Sequence, residues 1–422
     1  MTTLDYQTLR AAVAGSHVAI RSRTVLQPAG GPGDKIYPAS YGVPDNAHTK
    51  YAVETYTVDG AEHKRVLIGS VADGANRHEL ALVEGLEAGE LAFPNPFVDF
   101  SSEEGLEDLG RLSALEAPHR LADAIFRDSL IDGTLFRLSD LGRAITDATP
   151  NAATALYAAC PAALVFGMWD STGPKGGLGS KFQRALVSEI VGEDAQLGVK
   201  VGSRIDPLQI EKTAAVVYEH ADPEQGWALD PAEARVEKGK PVAVGSKGEL
   251  GRPSVINHGN VTPSIDTKAG GVTVDHAVQT TVLSLAALRK LRFITKVDGE
   301  LLTPADRREA EVAARTALAA LAVAAIAYQH SQDYDLRSRC LLVPTAEPVL
   351  ELIGRSGGEP ERYESSTTAA AAVLREAAEA AASVGMGWPI EKIQLLPSPK
   401  LVDLIRRSRD QARTISPESE GE

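Results

Sequence analysis

A mixed strand-and-helix fold, α+β or α/β, is what this sequence predicts, and three observations predict it. Runs rich in β-branched residues, such as HVAIRSRTVLQP (17–28), recur along the chain. Between them stand stretches with apolar residues at helical spacing, the longest opening at Thr303. No internal repeat is present, so these elements combine as unlike parts. At 422 residues and 43% hydrophobic, the chain can bury one large core or two modest ones.

Residues 17–28 read as a strand closed by a proline, followed by AGGPGDKIYPASYGVPDN, a Gly/Pro loop carrying Lys35. KYAVETYTVDGAEHKRVLIGS holds two alternating runs about an Asp-Gly turn, the signature of a hairpin. SVADGANRHELALVEGL spaces Ala75, Leu80, Val83 and Leu86 as a helix. From 87 to 160 the pattern is acidic and then helical, and reads as a helical insertion on the core. AALVFGMWD (162–170) reads as a buried strand leading into a glycine loop, and RALVSEIVG as the strand leaving it. Residues 221–271 are rich in Gly, Pro and charge, a pattern expected of a functional protrusion or a mobile segment. VTVDHAVQTTVLSL returns to β character, and AALRKLRF reads as a basic helical turn.

LTPADRREAEVAARTALAALAVAAIAYQH predicts a helix with Thr303 as N-cap, Pro304 at N1 and Asp306 in the capping-box position. RCLLVP and IEKIQLLP read as short strands, flanked by an alanine-rich helix (368–383) and PKLVDLIRRSRD. Residues 301–415 are thus a helix-rich C-terminal extension of one domain spanning 1–422, with a polar, frayed tail after Ile415.

Net charge is −14, which argues against a nucleic-acid binder held by overall basicity. The charge is unevenly spread. Glu84 to Asp108 carries eight acids and no Lys or Arg, whereas Lys175, Lys181 and Arg184 are unopposed in sequence, as are Arg289, Lys290, Arg292 and Lys296. A local polyanion site on an acidic body is compatible with that pattern. Cys160 and Cys340 lie far apart and form no CxxC, so neither a disulfide framework nor a cysteine zinc site is expected. The N-terminus lacks the basic start and apolar run of a signal peptide, and the longest apolar run, Ala317 to Tyr328, is too short to span a bilayer. A cytoplasmic protein without membrane contact is the expectation.

Three motifs carry chemistry. WDSTGPKGGLGSKFQRALVSEIVG (169–192) fails the Walker A order, because Gly179 is followed by Ser180 and then Lys181. It fails GxGxxG as well, because no glycine follows at the required spacing. The physical logic of an anion cradle survives: Gly176, Gly177 and Gly179 let backbone N–H groups approach, and Lys175 and Lys181 add charge. A glycine-rich turn with solvated lysines is the competing reading. INHGN (256–260) sets His258 between Asn257 and Asn260, side chains that can meet phosphate, ribose 2′-OH groups or base edges; a plain polar turn is the alternative. GANRHEL (74–80) puts Asn76 and Arg77 at an expected helix start, a favourable place for phosphate, although Arg77 also suits a surface ion pair. HExxH and GxSxG are both absent, and no metal-ligand cluster or cofactor motif is found.

Together, LQPAGGPGDKIYPASY, VLIGSVADGANRHELAL, FGMWDSTGPKGGLGSKFQRALVSEIVG, SRIDP, INHGN and GGVTVDHAVQTTVLSLAALRKLRF appear in an order that resembles a known family. It is the type I-U (I-G) CRISPR-associated backbone protein, a RAMP-superfamily subunit of the Cas-seven type, and the resemblance covers roughly residues 17–296. It implies an RRM-like (ferredoxin-like) palm with insertions, copies of which polymerise in a helical filament along a CRISPR guide RNA. A thumb inserts between guide bases, and residues 221–271 lie where that thumb is expected. The implied partners are guide RNA, target DNA through the guide, further copies of the chain and other Cascade subunits. The RNA-binding residues expected on this reading are Lys35, Asn76, Arg77, Lys175, Gly176, Gly177, Gly179, Lys181, Arg184, Arg252, Asn257, His258 and Asn260, with no catalysis, metal or cofactor. Family members often read SQANRMEL where this chain has DGANRHEL, so Asp73 adds a negative charge beside Arg77. A RAMP-superfamily endoribonuclease using His258 as acid or base is the alternative function.

Overall fold

His17–Pro28 (β1) forms the strand that its alternation predicts: Ile20, Ser22, Thr24 and Leu26 are buried, while Arg23 and Val25 are exposed. The computed structural model describes residues 2–173, 180–245, 250–293, 296–297, 300–389 and 391–414. They form two units, one of residues 1–41, 51–196 and 272–401, the other of 42–50, 197–271 and 402–422.

In the first unit, Val53–Val58 pairs with Ala61–Gly69 as a hairpin. It turns at Asp59 and Gly60, both at positive φ (51° and 80°), as the Asp-Gly pair requires. Val71–Glu87 (α1) opens at Ser70, whose hydroxyl accepts from the Asp73 N–H at 3.2 Å. Leu186–Glu193 (β2), His276–Ser284 (β3), the helix Pro304–His330 (α2) and Val349–Gly354 (β4) complete the scaffold. The strands lie in the order β4–β1–β3–β2, each antiparallel to its neighbour. The hairpin extends the sheet beyond β2, and Glu361–Glu364 extends it beyond β4.

Helices α1 and α2 pack on each other and on the sheet. Gly74 makes the close approach possible, since a Cβ there would lie 2.3 Å from the Ser188 carbonyl oxygen of β2. Gly74→Ala should therefore destabilise this unit by about 1–3 kcal/mol, because the obstacle is backbone; urea unfolding measures it.

The alanine-rich helix has the expected cap. Thr303 Oγ1 accepts from Asp306 N at 3.2 Å and donates to Asp306 Oδ2 at 2.7 Å. At 27 residues it is longer than its apolar run, and by length and composition it can cross a bilayer. Burial decides its role: 94% of the apolar window is inside the protein, so α2 is the core helix.

A polar layer lies within this core. Gln279 Nε2 donates to Gln329 Oε1 (2.8 Å) and Ser188 Oγ (3.2 Å), while Tyr334 OH donates to Gln279 Oε1 (2.8 Å). Ser188 and Thr281 share a further bond at 2.8 Å. His78, fully buried on α1, donates Nδ1–H to the Gly74 carbonyl at 2.6 Å; its Nε2 is buried without a protein partner. Cys160 and Cys340 are free, buried thiols; burial pushes them up to about 12 and about 11.

Two expectations need correction. Residues 162–170 are not one strand: Ala162–Phe166 is helical, Gly167 breaks it at φ +85°, and only Met168–Trp169 is extended. Short apolar runs of this length suit either state. The stretch 87–160 is also less helical than its pattern, holding the strands Phe97–Asp99, Arg111–Ser113, Ser129–Ile131 and Thr134–Leu135 between short helices. With Gln394–Pro397 at its centre, this set forms a separate five-stranded sheet.

The second unit is built on a ribbon, Lys200–Arg204 antiparallel to Val261–Asp266, and on the small pairs Tyr218–Glu219 with Trp227–Ala228 and Val236–Glu237 with Lys240–Pro241. Cross-strand neighbours Val201 and Ile265 on the ribbon are 67% and 69% exposed, so it is not packed as a core element.

Candidate nucleic-acid interface

A two-residue ribbon, Met168–Trp169 against Lys181–Phe182, flanks the glycine loop in sequence. Met168 and Phe182 are buried and anchor it, while Lys181 and half of Trp169 face solvent. Further ties fix the root. Asp170 N–H donates to the Ser180 carbonyl (2.9 Å), and Ser180 Oγ donates to the Ala148 carbonyl (3.0 Å). Arg137 donates to the Thr172 carbonyl (2.8 Å) and hydroxyl (3.0 Å) and pairs with Asp170. Lys175, Gly176, Gly177 and Gly179 lie outside the described residues.

Beneath this ribbon runs a buried ion pair. Arg120 donates Nε and Nη2 to the two Glu79 oxygens, both at 2.6 Å, and Nη1 to the Gly167 carbonyl at 2.8 Å. Arg120 itself sits at φ +52°, unusual for a residue other than glycine, with its guanidinium over the Phe166 ring. Burial pushes the Glu79 carboxyl up, to about 7, against the pull of Arg120 and Arg184. The pair thus braces the backbone break that launches the loop. Above it, the Lys181 ammonium lies 5.1 Å from the Trp169 ring centroid, and Arg184 is exposed.

Asn76 and Arg77 are not at the helix start. Ser70 caps α1, so both residues lie beyond its first turn, where the unpaired N–H groups of a helix terminus have ended. Arg77 bridges Asp73 Oδ2 (3.0 Å) and the Leu336 carbonyl (3.1 Å), and Asn76 is exposed. Lys35 sits in its loop with its N–H on Asp34 Oδ1 (2.9 Å), next to Ile36, which bridges Val272. The basic run at 289–292 is tied to the fold: Arg289 donates to the carbonyls of Ala12, Val13 and His17, and Arg292 to that of Arg289.

In the second unit, SRIDP and INHGN come together. Arg204 donates to Asn257 Oδ1 (3.2 Å), the His258 carbonyl (3.0 Å) and the Gly259 carbonyl (3.0 Å). Asp206 accepts from the N–H groups of Gly259 (2.5 Å), Leu208 (3.0 Å) and Ile210 (3.4 Å), which hold its carboxyl below the usual range. Asn260 Oδ1 completes the knot by accepting from Asp206 N at 2.7 Å. Asn257 takes the left-handed conformation (φ 60°), and Arg252 is exposed nearby in sequence. The expected residues that are described thus fall into two sets in different units: Lys35, Asn76, Arg77, Lys181 and Arg184 in the first; Arg252, Asn257, His258 and Asn260 in the second.

Trp169, Arg120, Arg204 and Asp206 were not among the expected residues. SRIDP was a visible signal for the last two, but no spacing ties Trp169 to Lys181 across the loop.

Residues 20–197 match the model of a family described as CRISPR-associated protein GSU0053. Over that stretch the resemblance to a CRISPR-associated family is borne out, and it supports a role in CRISPR defence. The matched stretch contains the ribbon and its ion pair and ends where the second unit's main segment begins. No protein of curated function matches the chain.

Proposed function

We propose that this chain, CRISPR-associated over residues 20–197, is an RNA-binding backbone subunit that polymerises along a guide RNA in an interference complex. The observation that carries the reading is that the family match includes the lysine-flanked glycine loop and the braced ribbon on which it stands. The scaffold adds support. Leaving aside the hairpin 53–69 and the smaller elements, it runs β1–α1–β2–β3–α2–β4 with strand order β4–β1–β3–β2, which is compatible with an RRM-like palm, and α1 and α2 lie against the sheet face that buries Ser22, Ser188 and Gln279. A guide of variable sequence has to be held by phosphate and ribose rather than by base-specific pockets. Backbone N–H groups and lysines at the loop suit that task, and the exposed ribbon of the second unit suits a thumb. Other Cascade subunits and target DNA, reached through the guide, are the further partners on this reading.

Size-exclusion chromatography with and without a guide RNA tests the reading. Growth to a multi-subunit particle with RNA is the expected result, and a chain that stays monomeric at every RNA length refutes it. Binding should weaken with salt, and Lys181→Ala should lower the log–log salt slope by roughly one. Incubation with RNA and metal should leave the RNA intact. We assign His258 no catalysis: the carboxylate of Asp206, bonded to the adjacent Gly259 N–H, has its oxygens held by backbone N–H groups. Cleavage that disappears in His258→Ala while binding persists would put the nuclease reading in its place.

A further inference from the structure

We infer that Trp169 is a stacking platform for an unpaired nucleobase and that Lys181 meets the phosphate of the same nucleotide, an assignment that rests on the RNA-binding reading. Trp169 is 51% exposed, an unusual setting for so large an apolar surface on a strand whose neighbour Met168 is 4% exposed. The residue is not loose. It stands in register with Lys181, and buried Met168 and Phe182 anchor the other face of the ribbon. The ties from Arg137, Ser180 and Arg120 hold both sides of the loop root and the backbone entering it. A rigid, half-exposed indole presents a π-face at little entropic cost, and every base has a matching face.

The ammonium of Lys181 already lies over this ring, at 5.1 Å from its centroid. One strand pair therefore carries both an aromatic plane and, on a long flexible side chain over one of its faces, a cation, the two groups that a single nucleotide engages. Arg184, exposed three residues further on, continues the positive edge. Stacking on an indole tolerates any base, which is what a guide of changing sequence demands.

The test uses the full chain and two probes, an oligouridine RNA and inorganic polyphosphate, the second offering charge without bases. Trp169→Ala should weaken oligouridine binding on the order of ten- to a hundredfold and leave polyphosphate binding unchanged. Trp169→Phe should recover most of that loss. Indole fluorescence should be quenched by oligouridine in the parent and not in Trp169→Phe, whose remaining tryptophans, Trp227 and Trp388, act as the control. Equal losses on both probes mean that the ring only positions Lys181, and the stacking assignment is then wrong. If Trp169→Ala binds oligouridine like the parent, stacking is again refuted while the RNA-binding reading stands. A parent that binds no oligouridine sinks that reading, and the platform with it.

Discussion

Glu79→Ala is expected to destabilise the first unit by about 3–5 kcal/mol, the largest effect of any single change considered for this molecule. Arg120 is 5% exposed and Glu79 1%, so removing the carboxylate strands a buried guanidinium that keeps the Gly167 carbonyl and the Phe166 ring but has no counter-charge in contact among the described residues. The cost comes from that uncompensated charge rather than from the strength of the pair. Replacing Glu79 and Arg120 together with methionine should therefore be far milder than Glu79→Ala alone. Chemical denaturation of the two variants separates the cases: a loss under about 1 kcal/mol in Glu79→Ala means that the guanidinium escapes to water. Because Arg120 also holds Gly167, the single variant should, on the proposed RNA-binding reading, lose RNA affinity even where it remains folded.

His78 sets the second large effect, a loss of stability in acid. Burial pushes its pKa from 6.5 down to about 4, since no water reaches the ring to stabilise the cation. The unfolded chain takes up a proton below pH 6.5 while the native state does not. The contribution is therefore complete above pH 6.5 and is lost as pH falls towards 4, at about 1.4 kcal/mol per pH unit. Over that window the loss amounts to about 3 kcal/mol. His330, bonded to Ser365 at 2.8 Å, is lowered by burial as well, to about 3, and acts with the same sign. Glu79, raised by burial, acts in the opposite sense, with stability lost as pH rises through about 7. Comparing the parent with His78→Met at each pH cancels these shared groups. The variant should gain on the parent steadily from pH 6.5 downwards, and a constant difference would show that His78 is protonated in the native state.

Local chemistry made much of this fold legible. The Asp59-Gly60 turn, the β-branched run at 17–28 and the Thr303-Pro304 start all declare themselves within a few residues, and each forms as read. Asn76 and Arg77 were misplaced for a local reason too: Ser70 and Asp73 form an S-x-x-D start six residues before Asn76. What stayed hidden depends on distant partners. Phe97–Asp99 pairs not only with Arg111–Ser113 but also with Gln394–Pro397, nearly three hundred residues later. Arg289 and Arg292 look like an open basic patch in sequence, yet their guanidiniums serve backbone carbonyls brought in by the fold. Of the candidate interface, the glycine loop and INHGN were visible as unusual composition. The brace under the loop was not, because neither Glu79 nor Arg120 is remarkable alone.

The placement of Gln394–Pro397 has a consequence for biosynthesis. This strand is the centre of the five-stranded sheet, parallel to Phe97–Asp99 on one side and antiparallel to Ser129–Ile131 on the other. While the chain is growing on the ribosome, both of those flanking strands emerge long before their shared partner. Until residue 397 is clear of the exit tunnel, two facing edges with unpaired N–H and C=O groups stay open, a setting that invites pairing with neighbouring nascent chains. This sheet cannot close before residues 394–397 have emerged, so a strand translated nearly three hundred residues after Phe97 decides whether the early ones are protected.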